Sequence, residues 1–321
     1  MKQRNTFYDF IKGFAIIVVV LAHALQSLSS DFEHNTLGLL IYAFHMPLFM
    51  IVSGKFFLSS VSKSSISDFL RKRFMRLYIP SLMWGLFNVI LLGGGKMLTH
   101  GTVELDYLAS LLFTGMWFLT VLFMLSVVGA LIEWKTSKYR YCLWLMVYIG
   151  INLLPDFWMR KELIAMMPFF VGSLLASKWD WSRIPAWLGI ISVTIFFGLF
   201  QIFSFDDTMY RISDEVFTIP YHQSAFIRIV IGACGSIAVI WMSKYLVRQA
   251  GISRVLIYLG GITLPIYVLH QKFLLPNFYF AYTTSNIFIV VTVACAITIM
   301  SIGAYSLLKK NRYIRALLFG E

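Results

Sequence analysis

What most limits the fold of this chain is a succession of apolar runs, each about as long as a bilayer is thick. Ten of them can be laid out, at approximately 10–28, 37–59, 78–95, 108–132, 141–155, 162–177, 185–205, 224–246, 254–275 and 286–308. About 20 residues rising 1.5 Å each cover the roughly 30 Å of hydrocarbon. In lipid, a segment without water must satisfy its own backbone, so such runs are expected as helices. Composition agrees, with 59% hydrophobic and 13% charged residues and a mean hydropathy of +0.77. A soluble domain has about half and a quarter respectively. The expectation is an all-α polytopic membrane protein of about ten transmembrane helices. The softest boundary is Leu154-Pro155-Asp156, between the two shortest runs.

The formal net charge of +12 does not point to nucleic acid, because the basic residues sit in short loops between the apolar runs. That distribution sets orientation. With the N-terminus in the cytoplasm, the inner side collects Lys2, Arg4, Lys12, the cluster from Lys63 to Arg76, Lys135, Lys138, Arg140, Lys178, Arg183, Lys244, Arg248, Arg254 and the tail from Lys309 to Arg315. The outer side takes Lys96, Arg160, Lys161, Arg211, Arg228 and Lys272. Both termini are therefore expected to be cytoplasmic. The largest outer loop, about 206–223, carries an acidic rim of Asp206, Asp207, Asp214 and Glu215. Cys142, Cys234 and Cys295 have no Cys-x-x-Cys spacing and indicate neither a disulfide framework nor a zinc site. The first run resembles a signal peptide ending Ala22-His23-Ala24, but it continues to Leu28 and its flank contains Asp9. No internal repeat or appended soluble domain is evident, so 1–321 reads as a single membrane-embedded domain.

Polar residues inside the runs are the candidates for chemistry. On a helix, Lys12 and His23 lie about 16 Å apart along the axis and about 20° apart around it. With Asp9 they form a polar stripe on the first span, as expected where a helix lines a cavity. His23, His45 and His270 are each expected roughly 8 to 12 Å below the outer boundary, on three different helices. Imidazole accepts and returns a proton near neutrality, so such a trio suits general-base work. Each histidine could equally satisfy an interhelical hydrogen bond. Three imidazoles can also hold zinc with one open position, but no supporting carboxylate is evident near these spans, and no metal is assigned.

Pro47 and Pro265 are expected to disturb the helices bearing His45 and His270. Between the second and third runs, SVSKSSISDFLRKRFMRLYIP reads as a short interfacial helix capped by Ser65 or Ser67, with Pro80 opening the next span. Its Arg73 and Arg76 share a face and can form a cytoplasmic anion site for donor phosphates. An anchor on anionic membrane lipids reads the same composition equally well. Lys55 is expected to snorkel. Trp117 and Tyr267 are expected to pack. Gly93-Gly94-Gly95-Lys96 lacks the Ser or Thr of a phosphate-binding loop.

The segments DFIKGFAIIVVVLAH, FHMPLFMIVSGKFF, KRFMRLYIP, MWFLTVLF and TLPIYVLH resemble, in order, the signatures of the acyltransferase-3 family of membrane O-acyltransferases that modify bacterial surface glycans. FHMPLF resembles the branch of fucose and polysaccharide O-acetylases. The resemblance implies a ten-helix core in the bacterial cytoplasmic membrane, no bound cofactor, and acyl-CoA, usually acetyl-CoA, as cytoplasmic co-substrate. The acceptor it implies is a sugar hydroxyl of a lipid-linked or exported glycan. It carries a catalytic role to His23 and to Lys12, where arginine is commoner in the family, with His45 assisting. Arg73 and Arg76 become the donor-binding pair, and His270 is a possible third site histidine. The competing reading from the residues alone is a glycan exporter without CoA-dependent chemistry. A metal-dependent membrane enzyme stands behind it.

Overall fold

The structure is a computed structural model describing residues 5–155, 157, 159–212, 218–280 and 282–321, with the side chains of 98–100, 114, 135–137 and 275–280 outside the description. Lys2, Arg4, Asp156, Asp214 and Glu215 lie outside the described residues, as do the side chains of His100 and Lys135. Every regular element among the described residues is helical. α1 (Thr6–Leu28) begins where the Asn5 side chain accepts the Phe7 amide. α2 (Thr36–Tyr42) begins on Asn35 in the same manner, and α3 (His45–Lys55) and α4 (Phe57–Val61) follow. The break at residues 43–44 has a local cause. Pro47 has no N–H for the carbonyl of Ala43, four residues earlier, and its ring crowds that oxygen.

α5 (Ile66–Arg73) is capped by Ser65, whose hydroxyl accepts the Asp68 amide at 3.1 Å. It runs through a π turn (Phe74–Tyr78) into α6 (Ile79–Asn88), a second π turn (Val89–Gly93) and α7 (Gly94–His100). The expected separate interfacial helix is thus the first part of one continuous helical stretch. At the first π turn the Ile79 amide reaches Phe74 O. This slip to a five-residue ladder relieves the clash that the Pro80 ring would have in an α turn.

α8 (Leu105–Thr114), α9 (Trp117–Thr136), α10 (Arg140–Leu153), α11 (Arg160–Leu175), α12 (Ala186–Phe200) and α13 (Ile219–Leu246) come next. α14 (Ala250–Gly261) and α15 (Thr263–Phe280) meet at a sharp break, with an angle of 84° between Ala250–Gly261 and Thr263–Leu274. Pro265 places that break as Pro47 places the first, because its ring opposes the Gly261 carbonyl. α16 (Ile287–Leu308) and α17 (Arg312–Phe319) close the chain.

All ten expected runs are helical, but not all are long. Among the described residues, Thr6–Leu28, Thr36–Val61, Ile66–Met97, Trp117–Trp134, Ile219–Leu246 and Ile287–Leu308 are six stretches long and apolar enough to cross a membrane, or seven with the bent α14–α15 pair. The run expected over 108–132 is interrupted at Gly115-Met116, while α10 and α12 are shorter apolar helices. Lys55 is buried, 9% exposed, rather than snorkelling.

The chain forms two compact units, one of Met1–Val52 with Leu175–Leu307 and one of Ser53–Leu174 with Leu308–Glu321. In the first, α1 packs on α14 and α15, and α12 on α13. The α1–α14 seam is reciprocal. A Cβ at Gly13 would strike the Leu256 carbonyl, and one at Gly260 would strike the Asp9 carbonyl. Two backbones approach so closely only where both residues lack a side chain. Ala43, Phe196, Phe203 and Ile231 form an apolar cluster in this unit, with Phe44 and Phe200 packed on it.

In the second unit, α6 packs on α8 and on α17. Ser81 and Thr120 join α6 to α9 by a 2.8 Å hydrogen bond between hydroxyls. Arg160 is 2% exposed and donates to the carbonyls of Ile151 and Asn152, closing the end of α10. α17 is held by the Trp84 indole donating to the Leu318 carbonyl at 3.0 Å and by the fully buried Phe319.

Candidate active site

His23 sits on α1 five residues before its end and is half-buried. Its Nδ1 lies 3.2 Å from Gln26 Oε1, and the Tyr42 hydroxyl donates to the same oxygen at 3.0 Å. Residues three apart on a helix face one another, so the His23–Gln26 pair follows from the helix itself. A carbonyl oxygen only accepts. Nδ1 of His23 is therefore the protonated nitrogen of the neutral ring, and Nε2 carries the lone pair.

The imidazole of His270, on α15, lies against that of His23 with centroids 5.1 Å apart. His270 is fully buried and its Nδ1 faces the Ile266 carbonyl at 3.1 Å, while its Nε2 has no hydrogen-bond partner among the described residues. His45 is 3% exposed and its Nδ1 faces the Ile41 carbonyl at 2.9 Å, across the break before α3. In both rings the carbonyl fixes the proton on Nδ1 and leaves Nε2 as the basic nitrogen. Tyr42 packs on His45 with centroids 5.0 Å apart, and Tyr267 on His270 at 5.9 Å. The three expected histidines thus belong to one neighbourhood, with His45 and His270 both within electrostatic range of His23. Of the three, only His23 keeps appreciable exposure.

Lys12 lies about three helical turns from His23 on the same helix. Its Nζ meets Asp9 Oδ1 at 2.6 Å, with the lysine side chain 33% exposed and the aspartate 4%. The polar stripe therefore has two ends, an ion pair at one and an imidazole at the other. Among the described residues, no group of three or more His, Cys, Asp or Glu side chains is arranged to hold a metal ion. Cys142, Cys234 and Cys295 are free thiols.

Arg73 and Arg76 belong to the second unit, where they flank the entry to the first π turn. The Arg73 guanidinium lies 5.2 Å over the Phe69 ring, and Arg76 is exposed. A planar guanidinium stacked on an aromatic face keeps its edge N–H groups available for an oxyanion. The turn bearing Arg76 is backed by Gly320, whose φ of +65° ends α17 and whose missing Cβ would collide with the Arg76 backbone.

Sequence reasoning did not single out Gln26, Tyr42 or Gly320. Gln26 carried a usable signal, a polar side chain one turn beyond His23. Tyr42 and Gly320 act through contacts distant in sequence. Trp117 packs edge-on against Phe118 at 5.8 Å.

The profile of a family described as an acyltransferase domain matches residues 5–307, nearly the whole chain. Nodulation protein NolL of Sinorhizobium fredii (strain NBRC 101917 / NGR234) is 38% identical over 86 residues, 26% of this chain and 24% of that protein. Nodulation protein NolL of Mesorhizobium japonicum (strain LMG 29417 / CECT 9101 / MAFF 303099) is 35% identical over 86 residues, 26% of this chain and 23% of that one. The matched segment spans about a quarter of the length of these curated relatives. No solved structure matches the chain.

Proposed function

The chain belongs to the acyltransferase-domain family, and from that premise we propose that it is an integral-membrane O-acyltransferase. It moves an acyl group, acetyl in the simplest case, from cytoplasmic acyl-CoA to a sugar hydroxyl of a bacterial surface glycan or its lipid-linked precursor. The proposed setting is a single acyltransferase domain crossing the bacterial inner membrane ten times, with both termini in the cytoplasm. The observation that carries the reading is His23, a reachable imidazole whose Nδ1 is tied to Gln26 and whose Nε2 is left to act as a base.

In the proposed reaction His23 Nε2 takes the proton of the acceptor hydroxyl as its oxygen attacks the thioester carbonyl. The tetrahedral intermediate expels the CoA thiolate, the C–S bond breaks, and the proton on His23 passes to that sulfur. The products are an O-acyl ester and free CoA. A base with an unperturbed pKa near neutrality can both take and return the proton. His270 and His45 support the charge that His23 gains on accepting it. Arg73 and Arg76 hold the donor phosphates, for which guanidinium geometry is well suited. Lys12, held by Asp9, positions the donor; its ammonium is a point charge and makes no bidentate contact.

Purified protein supplied with labelled acetyl-CoA and candidate glycans tests the reading. Wild type is expected to label a glycan, and His23→Ala, still folded, to lose at least about a hundredfold in rate. Equal transfer by both proteins removes His23 from the chemistry. Transfer by neither, across a broad glycan panel, returns the chain to the exporter reading.

A further inference from the structure

A cavity of about 500 Å³ opens at the start of α13, lined by side chains that include Asp206, Tyr221, Gln223, Ser224, Ile227 and Arg228. That volume falls within the range of small-ligand sites. Its chemistry is mixed in a specific way. Tyr221 and Arg228 are 8% and 7% exposed, so parts of the wall are rigid, whereas Asp206 and Gln223 are exposed. Among the described residues the formal charges on the lining, Asp206 and Asp207 against Arg211 and Arg228, cancel.

Three of these four groups are already engaged. Arg211 pairs with Glu33 at 2.8 Å, Arg228 donates to the Asp207 carbonyl at 3.3 Å, and the Asp207 carboxylate accepts the Ser204 amide at 2.9 Å. The described part of the wall therefore offers a carboxylate, an amide, hydroxyls and an aromatic ring, with its formal charges in balance. Such a set suits a ligand that presents many hydroxyls, each both donor and acceptor.

The cavity also shares structure with His23. Phe205 and Tyr210, which bracket Asp206 and Asp207 in sequence, stack on each other with centroids 6.1 Å apart. Both pack on Tyr42, at 6.5 and 5.8 Å. Tyr42 is the residue whose hydroxyl reaches Gln26, the partner of His23. We propose that this cavity is the acceptor subsite and takes an uncharged saccharide, with Asp206 and Gln223 holding its hydroxyls. The proposal rests on the acyltransferase reading for its purpose, but binding can be measured without it.

The experiment uses full-length His23→Ala protein in detergent, without donor, titrated with methyl glycosides of hexoses, 6-deoxyhexoses and N-acetylhexosamines and followed by saturation-transfer NMR. At least one class is expected to bind saturably. Binding should weaken about tenfold in Asp206→Asn, the loss that accompanies one charge-assisted hydrogen bond, and similarly in Ile227→Trp, which fills the space. Inorganic phosphate should not compete. Absence of binding by every glycoside, equal binding in both variants at unchanged melting temperature, or displacement by phosphate overturns the subsite. Glycoside binding here by a wild-type protein that transfers no acyl group would sink the proposed reaction and leave the subsite standing. Acyl transfer with an acceptor KM unchanged in Asp206→Asn and Gln223→Ala would do the reverse.

Discussion

The imidazoles of His23 and His270 face one another from α1 and α15 with ring centroids 5.1 Å apart, one half-buried and the other sealed. A sealed base that keeps a lone pair beside a reachable one is arranged to stabilise the proton the other collects. His270→Gln and His270→Phe are therefore expected to lower kcat roughly tenfold to a hundredfold, with the KM for acetyl-CoA unchanged. Steady-state kinetics beside thermal melts decide the matter. A variant that melts like wild type and turns over at the same rate removes His270 from the reaction.

Gln26 stands between Tyr42 and His23, and its carbonyl oxygen serves both. Tyr42→Phe should slow transfer about fivefold, the worth of one neutral hydrogen bond of about 1 kcal/mol. Gln26→Leu should slow it more, because the imidazole loses its orienting acceptor. The double variant should match Gln26→Leu alone, since Tyr42 acts through that side chain. Additive losses in the cycle would show that the two act separately.

At the seam between α1 and α14, Gly13→Ala and Gly260→Ala each place a methyl group against a carbonyl of the other helix. Overpacking of this kind costs about 1–3 kcal/mol. Each variant should melt several degrees below wild type in detergent. Gly303→Ala, whose Cβ would meet nothing within 4 Å, serves as the control and should not lower the melting temperature. Equal behaviour at all three positions would mean that the seam is not close-packed.

Gly320→Val tests whether the C-terminal helix supports the arginine pair. The residue has φ +65°, and its new side chain would meet the Arg76 backbone. The conformational cost alone is about 1–2 kcal/mol. The expected outcome is a higher KM for acetyl-CoA with an unchanged acceptor KM, in the same direction as Arg73→Ala with Arg76→Ala. Unaltered donor kinetics in Gly320→Val would separate α17 from donor binding. Unaltered kinetics in the double arginine variant would assign that pair to lipid anchoring.

Much of the site was legible in the sequence because polar residues stand out in apolar runs. His23, His45, His270 and Lys12 needed no more than that contrast. Pro47 and Pro265 foretold distortion, yet the chain breaks four or three residues earlier, at Ala43 and Ile262, because the ring collides with an oxygen on the preceding turn. The π turn at Phe74–Tyr78 leaves no mark in the apolar pattern, so the basic segment read as a separate helix. Its continuation through Pro80 depends on a slipped hydrogen-bond ladder. Gly13 and Gly260 are two among 21 glycines, and only the packing distinguishes them. α17 looked like an orientation tail because its three apolar anchors at Ile314, Leu318 and Phe319 are crowded by Lys309, Lys310, Arg312 and Arg315.

The 84° elbow between α14 and α15 has a consequence for the barrier itself. Ala250–Gly261 is about 18 Å long at 1.5 Å per residue, and Thr263–Phe280 about 27 Å, against roughly 30 Å of hydrocarbon. Whichever arm stands upright, the other lies nearly flat. The pair is therefore a broken span or a re-entrant element rather than one straight rod like α1 or α16, and His270 rides on its second arm.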